Sequence, residues 1–280
     1  MASSQLASRA DAGRLRVLLV SDIHTNVDRV TQLNDWLHEH NELVDVILLA
    51  GDIANMHDGD YDVPERETAF EGDMSTVIGA LENICTSVYY IPGNHDPRTT
   101  FERNPLPKLT SFSTNIHRRV VRISRDLVFA GYGGSVPSFQ NGQVLWSGYP
   151  HATDDVVREP LQRLLTLGND DSGIQHSDSV ILMTHFGPDG IDTTLDRSDP
   201  LAPVHTGSKS LTAVLRNSPL NIPLHIHGHT HNSPGRVTIG KTIVFNPGSL
   251  TESRFALLTL ERSLNLHRWV LSSSTFLDLP

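Results

Sequence analysis

Apolar runs alternate with amphipathic segments along this chain, and four of the runs stop at a short polar cluster. Those four runs span residues 15–20, 44–50, 88–91 and 180–183, and a fifth cluster follows the alternating segment 224–227. Runs rich in valine, isoleucine and leucine are typical of parallel strands that are buried on both faces. Between them, residues 27–37 and 74–84 carry apolar side chains at helical spacing. The pattern therefore predicts an α/β fold in which strands and helices alternate.

The remaining segments predict short antiparallel strands, one more helix and two long loops. The strands are expected within 118–131, in a hairpin that joins 236–239 to 242–245, and at 254–260 and 264–270. Pro160 is expected in the first turn of a helix that runs to Leu167. Long loops in compact domains are usually functional or disordered. We therefore expect loops 54–72 and 132–153 to overhang a site and to set its specificity.

Each of the five polar clusters follows the carboxyl end of a predicted strand. They are Asp22-Ile23-His24, Gly51-Asp52, Gly93-Asn94-His95-Asp96, Thr184-His185 and Gly228-His229-Thr230-His231. In open α/β sheets, ligands bind beyond the carboxyl ends of the strands. The five clusters are therefore expected to converge on one pocket.

The clusters contain candidate metal ligands of two kinds, and no cysteine is among them. Imidazole suits zinc, iron, nickel and copper, whereas carboxylate and amide oxygens suit manganese, magnesium and calcium. A single tetrahedral zinc takes three or four protein ligands, so the larger number here suits two adjacent ions that share a carboxylate. We expect manganese, iron or zinc. The seven candidates are Asp22, His24, Asp52, Asn94, His185, His229 and His231.

The order of these motifs, DxH, GD, GNHD, H and GHxH, resembles the calcineurin-like metallophosphoesterase superfamily from Asp22 to about Ser249. The resemblance implies a four-layer αββα sandwich, with two mixed sheets flanked by helices in a single domain. It also implies a dinuclear metal site at one end of the sheets. In such a site, two ions about 3.5–4 Å apart clamp the attacking and leaving oxygens of an in-line displacement at phosphorus.

The resemblance also implies a role for each residue of the clusters. One metal would be bound by Asp22, His24 and His231, the other by Asn94, His185 and His229, and Asp52 would bridge the two. A hydroxide that bridges the metals would attack phosphorus, because coordination lowers the pKa of bound water from about 15.7 towards 7.

The same resemblance assigns the remaining polar residues of the GNHD motif. His95 would face the substrate and protonate the leaving oxygen, and Asp96 would orient the His95 ring. Substrate contacts are expected from Asn94 and His95. Further contacts are expected from Gly133 and Gly134, because glycines allow a backbone to approach a ligand closely.

The other histidines are predicted to be structural or surface residues, with three exceptions. His225 and His227 alternate with leucine and isoleucine along one strand, so they are expected to face one way and to support the site or the core. His57, His151 and His205 remain pocket candidates, because they lie in loops between the motifs.

Composition limits the class of protein. The 280 residues carry a formal net charge of −10, which argues against nucleic acid as a partner. A single cysteine, Cys85, excludes a disulfide framework and is expected as a buried thiol on a helix. No apolar stretch approaches the length of a membrane span. We expect a disordered tail over residues 1–13 and one domain over residues 14–280.

These features predict a cytoplasmic protein that does not contact membranes; an organellar transit role for the first thirteen residues is the alternative. The sequence leaves the oligomeric state open.

Three functions compete at this stage. The first is a phosphodiesterase that acts on a small phosphoester, which fits because Gly51-Asp52 continues as Ile53-Ala54-Asn55 and not as the GDxVDRG stretch of protein phosphatases. The second is a phosphomonoesterase, nucleotidase or pyrophosphohydrolase, since the same metals cleave monoesters and anhydrides. The third is a non-catalytic protein-binding scaffold, like the retromer subunit that resembles this family. A scaffold has no need of a complete ligand set, which argues against the third function. We favour the first, the phosphodiesterase.

Overall fold

The computed structural model describes residues 2–57, 59–61, 63–166, 168 and 173–280. Over these residues the helices are α1 (Ala2–Asp11), α2 (Val27–Glu39), α3 (Pro64–Ile84), α4 (Thr99–Glu102), α5 (Arg158–Leu164) and α6 (Lys209–Asn217). The strands are β1 (Arg14–Val20), β2 (Val46–Leu49), β3 (Val88–Tyr90), β4 (Ser113–Asn115), β5 (Arg119–Ser124), β6 (Leu127–Tyr132), β7 (Ser138–Gln140), β8 (Gln143–Trp146), β9 (Ser179–Thr184), β10 (Leu195–Asp196), β11 (Val204–His205), β12 (Asn221–Ile226), β13 (Gly235–Ile239), β14 (Thr242–Asn246), β15 (Arg254–Ser263) and β16 (Arg268–Asp278). None of the described helices is both long enough and apolar enough to cross a membrane.

Most strands form two mixed sheets. The first has the order β16-β15-β1-β2-β3-β4, and the second has the order β13-β14-β12-β9-β6-β5. Strands β1 to β4 run parallel, as do β6, β9, β12 and β14, while the outer strands add antiparallel pairs. Two short ribbons, β7–β8 and β10–β11, lie outside the sheets.

The alternation of side chains along each strand sends every other residue to a different layer. In β1, Val17 and Leu19 join the cluster between the two sheets, and Leu18 and Val20 join the cluster under helices α2 and α3. Helices α5 and α6 cover the other face of the second sheet in a third cluster. The structure therefore confirms the predicted four-layer αββα sandwich with two mixed sheets.

The first residues of the chain differ from the predicted disordered tail. Helix α1 covers Ala2–Asp11, and its Leu6 and Ala10 are only 3% and 1% exposed. These two residues are four apart, so they lie on one face of the helix, where they join the cluster between the sheets. Burial of this face gives a helix where the composition suggested a tail.

The loop that follows Asp52 is shorter than predicted. Helix α3 begins at Pro64 and not after Gly72. Proline suits the first helical position because its missing N–H is not needed there. Glu65 and Glu67 follow in the first turn, where negative charge complements the helix dipole. The acidic residues that suggested a loop are therefore part of a helix.

Two further predictions, for Cys85 and for the last strand, were wrong, and the predicted end of α5 falls outside the described residues. Cys85 comes directly after α3 and is half-buried, with its thiol 3.3 Å from the Asp45 carbonyl oxygen, so it is not a buried thiol on the helix. Helix α5 ends at Leu164, and the predicted end at Leu167 lies outside the described residues. The last strand runs over Arg268–Asp278, because residues 264–267 form the turn that joins it to β15.

Candidate metal centre

The carboxyl ends of five parallel strands bring the polar clusters to one place. Strands β1, β2 and β3 lead into the clusters of Asp22, Asp52 and Asn94, and strands β9 and β12 of the other sheet lead into those of His185 and His229. The ligand atoms of two overlapping groups lie within 4.8 Å of one another: Asp22, His24, Asp52 and His231; and Asp52, His185 and His229. The structure thus places together six of the seven predicted ligands, and Asn94 joins them through His185.

The first group is closely packed. Nε2 of His231 lies 3.1 Å from Oδ1 of Asp22 and 3.3 Å from Nε2 of His24. Imidazole nitrogens are common metal ligands, and a cation bound beside both of these nitrogens would be coordinated by them. These three side chains are the ones predicted for one metal.

Asp52 connects the first group with the second. Its Oδ2 lies 3.1 Å from Nε2 of His185 and 3.8 Å from Nε2 of His24. The same His185 nitrogen is 3.1 Å from the amide oxygen of Asn94. One carboxylate oxygen therefore lies between ligands of both groups, as a bridging ligand must.

Contacts behind the site fix the orientation of the imidazole rings. Nδ1 of His185 lies 2.7 Å from the Ala50 carbonyl oxygen, and Nδ1 of His24 lies 3.0 Å from the side-chain oxygen of Asn55. Both oxygens accept, so Nδ1 carries the proton and the lone pair of Nε2 points into the site. Metal-binding histidines are usually held in this way.

The residues present fit two metal ions. Nε2 of His229 is buried, and it has no hydrogen-bond partner among the described residues. An unpaired buried polar atom is costly, and a metal ion would satisfy it. The donor set of imidazoles, carboxylates and one amide suits manganese, iron or zinc. The chemistry of the residues therefore agrees with the predicted dinuclear centre.

Charge in the pocket supports the same conclusion. Burial alone would raise the pKa of Asp22, but the charge and hydrogen bond of His231 lower that pKa to about 2. Burial likewise lowers the pKa of His185, yet the charge of Asp52 outweighs it and raises the pKa to about 9. Burial lowers the pKa of His229 to about 3. Two buried carboxylates thus require positive charge nearby, and metal ions would compete with protons for that position.

Several ligands adopt strained backbone conformations. Asp22, Asp52 and His229 have φ angles of 55°, 52° and 66°, in the left-handed region. Such conformations cost about 1–3 kcal/mol each and cluster at functional sites. Gly93 of the GNHD motif is required for a different reason, which is space. A Cβ at this position would lie 2.1 Å from Oδ1 of Asp52. The motifs therefore record close packing as well as ligand chemistry.

Comparison with known proteins agrees with this geometry. The sequence model of the calcineurin-like phosphoesterases matches residues 15–233, which is most of the chain. The chain belongs to the calcineurin-like phosphoesterase family. Members of this family bind two divalent metals, and membership indicates a phosphoester hydrolase.

Individual relatives are distant. An uncharacterised protein of Methanocaldococcus jannaschii is 25% identical over 233 residues, which cover 83% of this chain and 88% of that protein. One crystal structure of 18% identity superposes with a TM-score of 0.70 and covers 95% of this chain and 100% of its own. A dimetal phosphatase from Danio rerio is 13% identical, with a TM-score of 0.55 over 95% of this chain and 99% of its own. At these identities the solved structures show the shared fold.

Among the described residues, Asp96 makes no contact with the His95 ring, although the sequence predicted one. One Asp96 oxygen accepts from the N–H groups of Ile53 and Ala54, at 2.9 and 2.6 Å, and the other accepts from that of Gly93, at 2.7 Å. Burial raises the pKa of Asp96 to about 7, and these three donors favour its charged form. Asp96 therefore joins the GD and GNHD loops.

His95 is held instead by a backbone carbonyl. Its Nδ1 lies 2.6 Å from the Met56 carbonyl oxygen, and its own N–H donates to Oδ1 of Asp52 at 2.8 Å. The ring lies edge-on to His24 with 5.0 Å between centroids. Since a carbonyl oxygen only accepts, Nδ1 carries the proton in this contact, and Nε2 is the nitrogen available to a substrate.

Gly133 and Gly134 support the GNHD loop and do not line the cavity. The Gly133 N–H donates to Nδ1 of His117 at 2.8 Å, and the Gly133 carbonyl lies 3.0 Å from Nε2 of His151. The Gly134 N–H donates to the Pro92 carbonyl at 2.9 Å. Neither glycine is among the residues that line the cavity, and these three backbone groups already have partners; contact of the two glycines with substrate stays a prediction. No sequence pattern linked the two buried histidines, His117 and His151, to Gly133.

The remaining predicted histidines separate clearly. Nε2 of His225 lies 2.8 Å from the Thr184 hydroxyl, and Nε2 of His227 lies 2.9 Å from the Thr193 hydroxyl. Both rings are fully buried, and burial holds the pKa of each below its ordinary value. The two are thus buried groups behind the site, as predicted. His205 is exposed on β11 and His151 is buried behind the site, so only His57 of the three pocket candidates lines the cavity.

A cavity of about 640 Å³ opens above the ligands. We call the seven candidate ligands with His95 its floor, and its outer lining its wall. The wall comes from residues 56, 57 and 61 after Asp52, from β8 with the residues after it, from the β10–β11 ribbon, and from Asn232. The sequence predicted the first two of these regions and missed the β10–β11 ribbon. The wall residues used below are His57, Tyr61, Leu145, Trp146, Tyr149, Asp196 and Ser198.

Proposed function

We propose that this protein is a dinuclear-metal-dependent phosphodiesterase that hydrolyses a small phosphoester. The observation that carries the proposal is the position of Asp52. One of its oxygens, Oδ2, lies between His185 and His24 and so between the two ligand groups. Two divalent ions held there would supply an activated water and would neutralise charge on the phosphoryl oxygens.

His95 is the proposed acid for the leaving group. It lines the cavity beside His24, and the Met56 carbonyl fixes its ring so that Nε2 is the nitrogen available to the substrate. A proton on Nε2 would pass to the leaving oxygen as the bond between that oxygen and phosphorus breaks. Positioned proton transfer of this kind typically contributes 10²–10⁴-fold.

The preference for diesters rests on the charge of the wall. Among the described residues that line the cavity there is no lysine or arginine, whereas Asp196 is present. A phosphodiester carries one negative charge and a phosphomonoester carries up to two, so a wall without cations favours the diester. We therefore expect the substrate to carry a single negative charge on its phosphate group.

The test combines a metal measurement with a rate. Metal-free protein is loaded with manganese, iron or zinc, the bound ions are counted by elemental analysis, and hydrolysis of bis(4-nitrophenyl) phosphate is followed. We expect up to two ions per chain and activity that rises with the second ion. A chain that never holds more than one ion, or that holds two and does not cleave this diester, contradicts the proposal, and cleavage of 4-nitrophenyl phosphate alone would identify a phosphomonoesterase.

A further inference from the structure

The wall of the cavity contains three half-buried aromatic rings beside the ligands of the second metal. Tyr61 and Tyr149 stack with 3.8 Å between centroids and 19° between planes. Trp146 lies edge-on to His229, with 6.0 Å between centroids. The Tyr61 hydroxyl also donates to the backbone carbonyl of Asn94. Tyr61 and Trp146 therefore contact Asn94 and His229, the two candidate ligands that a bound phosphate group would approach.

The nearby cations do not line this wall. Arg98 contacts the Tyr149 hydroxyl, with 3.4 Å between Nε and the oxygen. Arg197 forms an ion pair of 3.0 Å with Asp192. Asp196 does line the wall, and it accepts from the N–H and hydroxyl of Ser198 at 2.8 and 2.6 Å. A substrate group that carries a second negative charge would therefore meet a carboxylate here without a compensating cation.

The rim next to Trp146 is apolar and exposed. Val144 and Leu145 of β8 are 60% and 46% exposed. The β7–β8 ribbon that carries them is fixed to the neighbouring β10–β11 ribbon, because Ser138 donates to the His205 carbonyl at 2.9 Å. Leu145 also lines the cavity, so this rim offers an apolar contact to a ligand that enters it. Ring faces, apolar rim and missing cations all point to the same kind of group.

We propose that one ester group of the substrate is an uncharged flat ring, aryl or nucleobase, which packs against Trp146 and Tyr149, and that Asp196 disfavours substrates with a second negative charge. The proposal rests on the phosphodiesterase function above. Stacking on an aromatic side chain is sequence-tolerant for bases, because every base has a π-face. Specificity would thus come from the wall and hydrolysis from the floor.

The first experiment uses four phosphodiesters that share the 4-nitrophenyl leaving group. The second ester group is methyl, cyclohexyl, phenyl or thymidine-5′, and kcat/KM for release of nitrophenolate is measured on the metal-loaded protein. Cyclohexyl matches phenyl in size but is not flat, so it separates stacking from apolar contact. We expect the phenyl and thymidine esters to exceed the cyclohexyl ester by roughly tenfold, and the larger of the two identifies the aryl or the nucleoside source.

Variants of Trp146 link the preference to the wall. Trp146→Ala should remove the preference for flat rings, so that the rates on the phenyl and thymidine esters fall towards the rate on the cyclohexyl ester while the metal content is retained. Trp146→Phe, which keeps a ring, should retain most of the preference. Equal rates on all four esters, or a Trp146→Ala loss that is the same for every ester at full metal content, overturns the inference and leaves the phosphodiesterase intact. If no diester is cleaved at full metal content, the proposed function fails and the inference fails with it.

A second variant tests the charge of the wall. Asp196→Asn should raise kcat/KM for 4-nitrophenyl phosphate relative to phenyl 4-nitrophenyl phosphate by about threefold, a size typical of one partly screened charge. Asp199→Asn is the matched control, since Asp199 is an exposed residue on the connection between β10 and β11 and does not line the cavity. An identical ratio in the parent and both variants shows that Asp196 does not select substrate charge.

Discussion

On the floor of the cavity, the imidazole rings are held by hydrogen bonds from behind, whereas the Trp146 and Tyr149 rings of the wall are held mostly by contacts between rings. His185 and His24 each use Nδ1 for a carbonyl or amide oxygen and direct Nε2 into the site. Trp146, by contrast, makes an edge contact with His229, and the one described contact of Tyr149 with a charged side chain is a long one, to Arg98 at 3.4 Å. The imidazole rings of the floor are therefore oriented by directional bonds, and these two rings of the wall are oriented mainly by packing.

The difference shows which part of the molecule is suited to each task. Metal ligands must be held within a fraction of an ångström, and hydrogen-bonded partners behind them provide that. A wall that packs against a substrate can vary in residue type, provided that its surface and charge suit the ligand. Substitutions on the floor should therefore have large effects on every substrate, and those on the wall should have small and substrate-dependent ones.

The largest effect is expected from the residue that joins both halves of the floor. Asp52→Asn should reduce activity by at least about a thousandfold, because removal of even a group behind a metal ligand costs about 10- to 100-fold. The substitution removes the charge that holds two cations close together. Activity and metal content are measured on the same preparation, and both should fall.

The control for Asp52 is another buried carboxylate. Asp126 is 7% exposed and binds Arg262 and Trp269, away from the cavity. Asp126→Asn should lower the thermal midpoint and leave the metal content and the rate per folded molecule unchanged. If Asp52→Asn behaves like Asp126→Asn and keeps two ions with near-normal turnover, Asp52 is not the bridge, and the contrast between floor and wall is lost.

The next effect concerns a floor residue that is not a ligand. His95→Ala should keep both metals and slow the hydrolysis of an alkyl leaving group by about a hundredfold, the lower end of what proton transfer contributes. A nitrophenyl leaving group needs little protonation, so its rate should fall much less. The measurement is the ratio of kcat/KM for the two leaving groups at constant metal content.

Two other outcomes would change the role of His95. Equal losses for both leaving groups would make it a positioning or electrostatic group. Loss of metal would mean that the His95 side chain is itself a ligand, because the backbone N–H of residue 95, which donates to Oδ1 of Asp52 at 2.8 Å, is kept in the alanine variant. Neither outcome would place the acid on Asp96, because both Asp96 oxygens already accept from backbone N–H groups.

The sequence predicts which side chains meet at the floor, because its signals are local. Four of the five ligand motifs follow an apolar run, so the end of the strand and the chemistry can be read together. The partner of His95 could not be found in this way. It is the backbone carbonyl of Met56, and any residue at that position presents the same oxygen. Proximity in the motif suggested Asp96, which the fold uses to join two loops.

The fold shows the same division between local and distant information. Buried strands were found from continuous apolar runs, and the layers follow from their alternation. Helix α1 was missed because Leu6 and Ala10 are buried by a core that forms from distant parts of the chain. The wall residue Asp196 was missed for a similar reason. It lies on a two-residue strand, β10, whose partner and place beside the cavity depend on tertiary structure.

The smallest effect is expected at His57, a wall residue that lies next to the proposed acid. Its ring is edge-on to that of His95, with 5.6 Å between centroids, and its side chain is exposed at the cavity. No hydrogen bond joins the His57 and His95 rings among the described contacts, so His57→Ala should lower kcat/KM by no more than about threefold, as for surface substitutions in general. The loss should be equal for alkyl and nitrophenyl leaving groups, in contrast to His95→Ala. A large loss confined to the alkyl leaving group, with both metals retained, would identify His57 as the acid in place of His95.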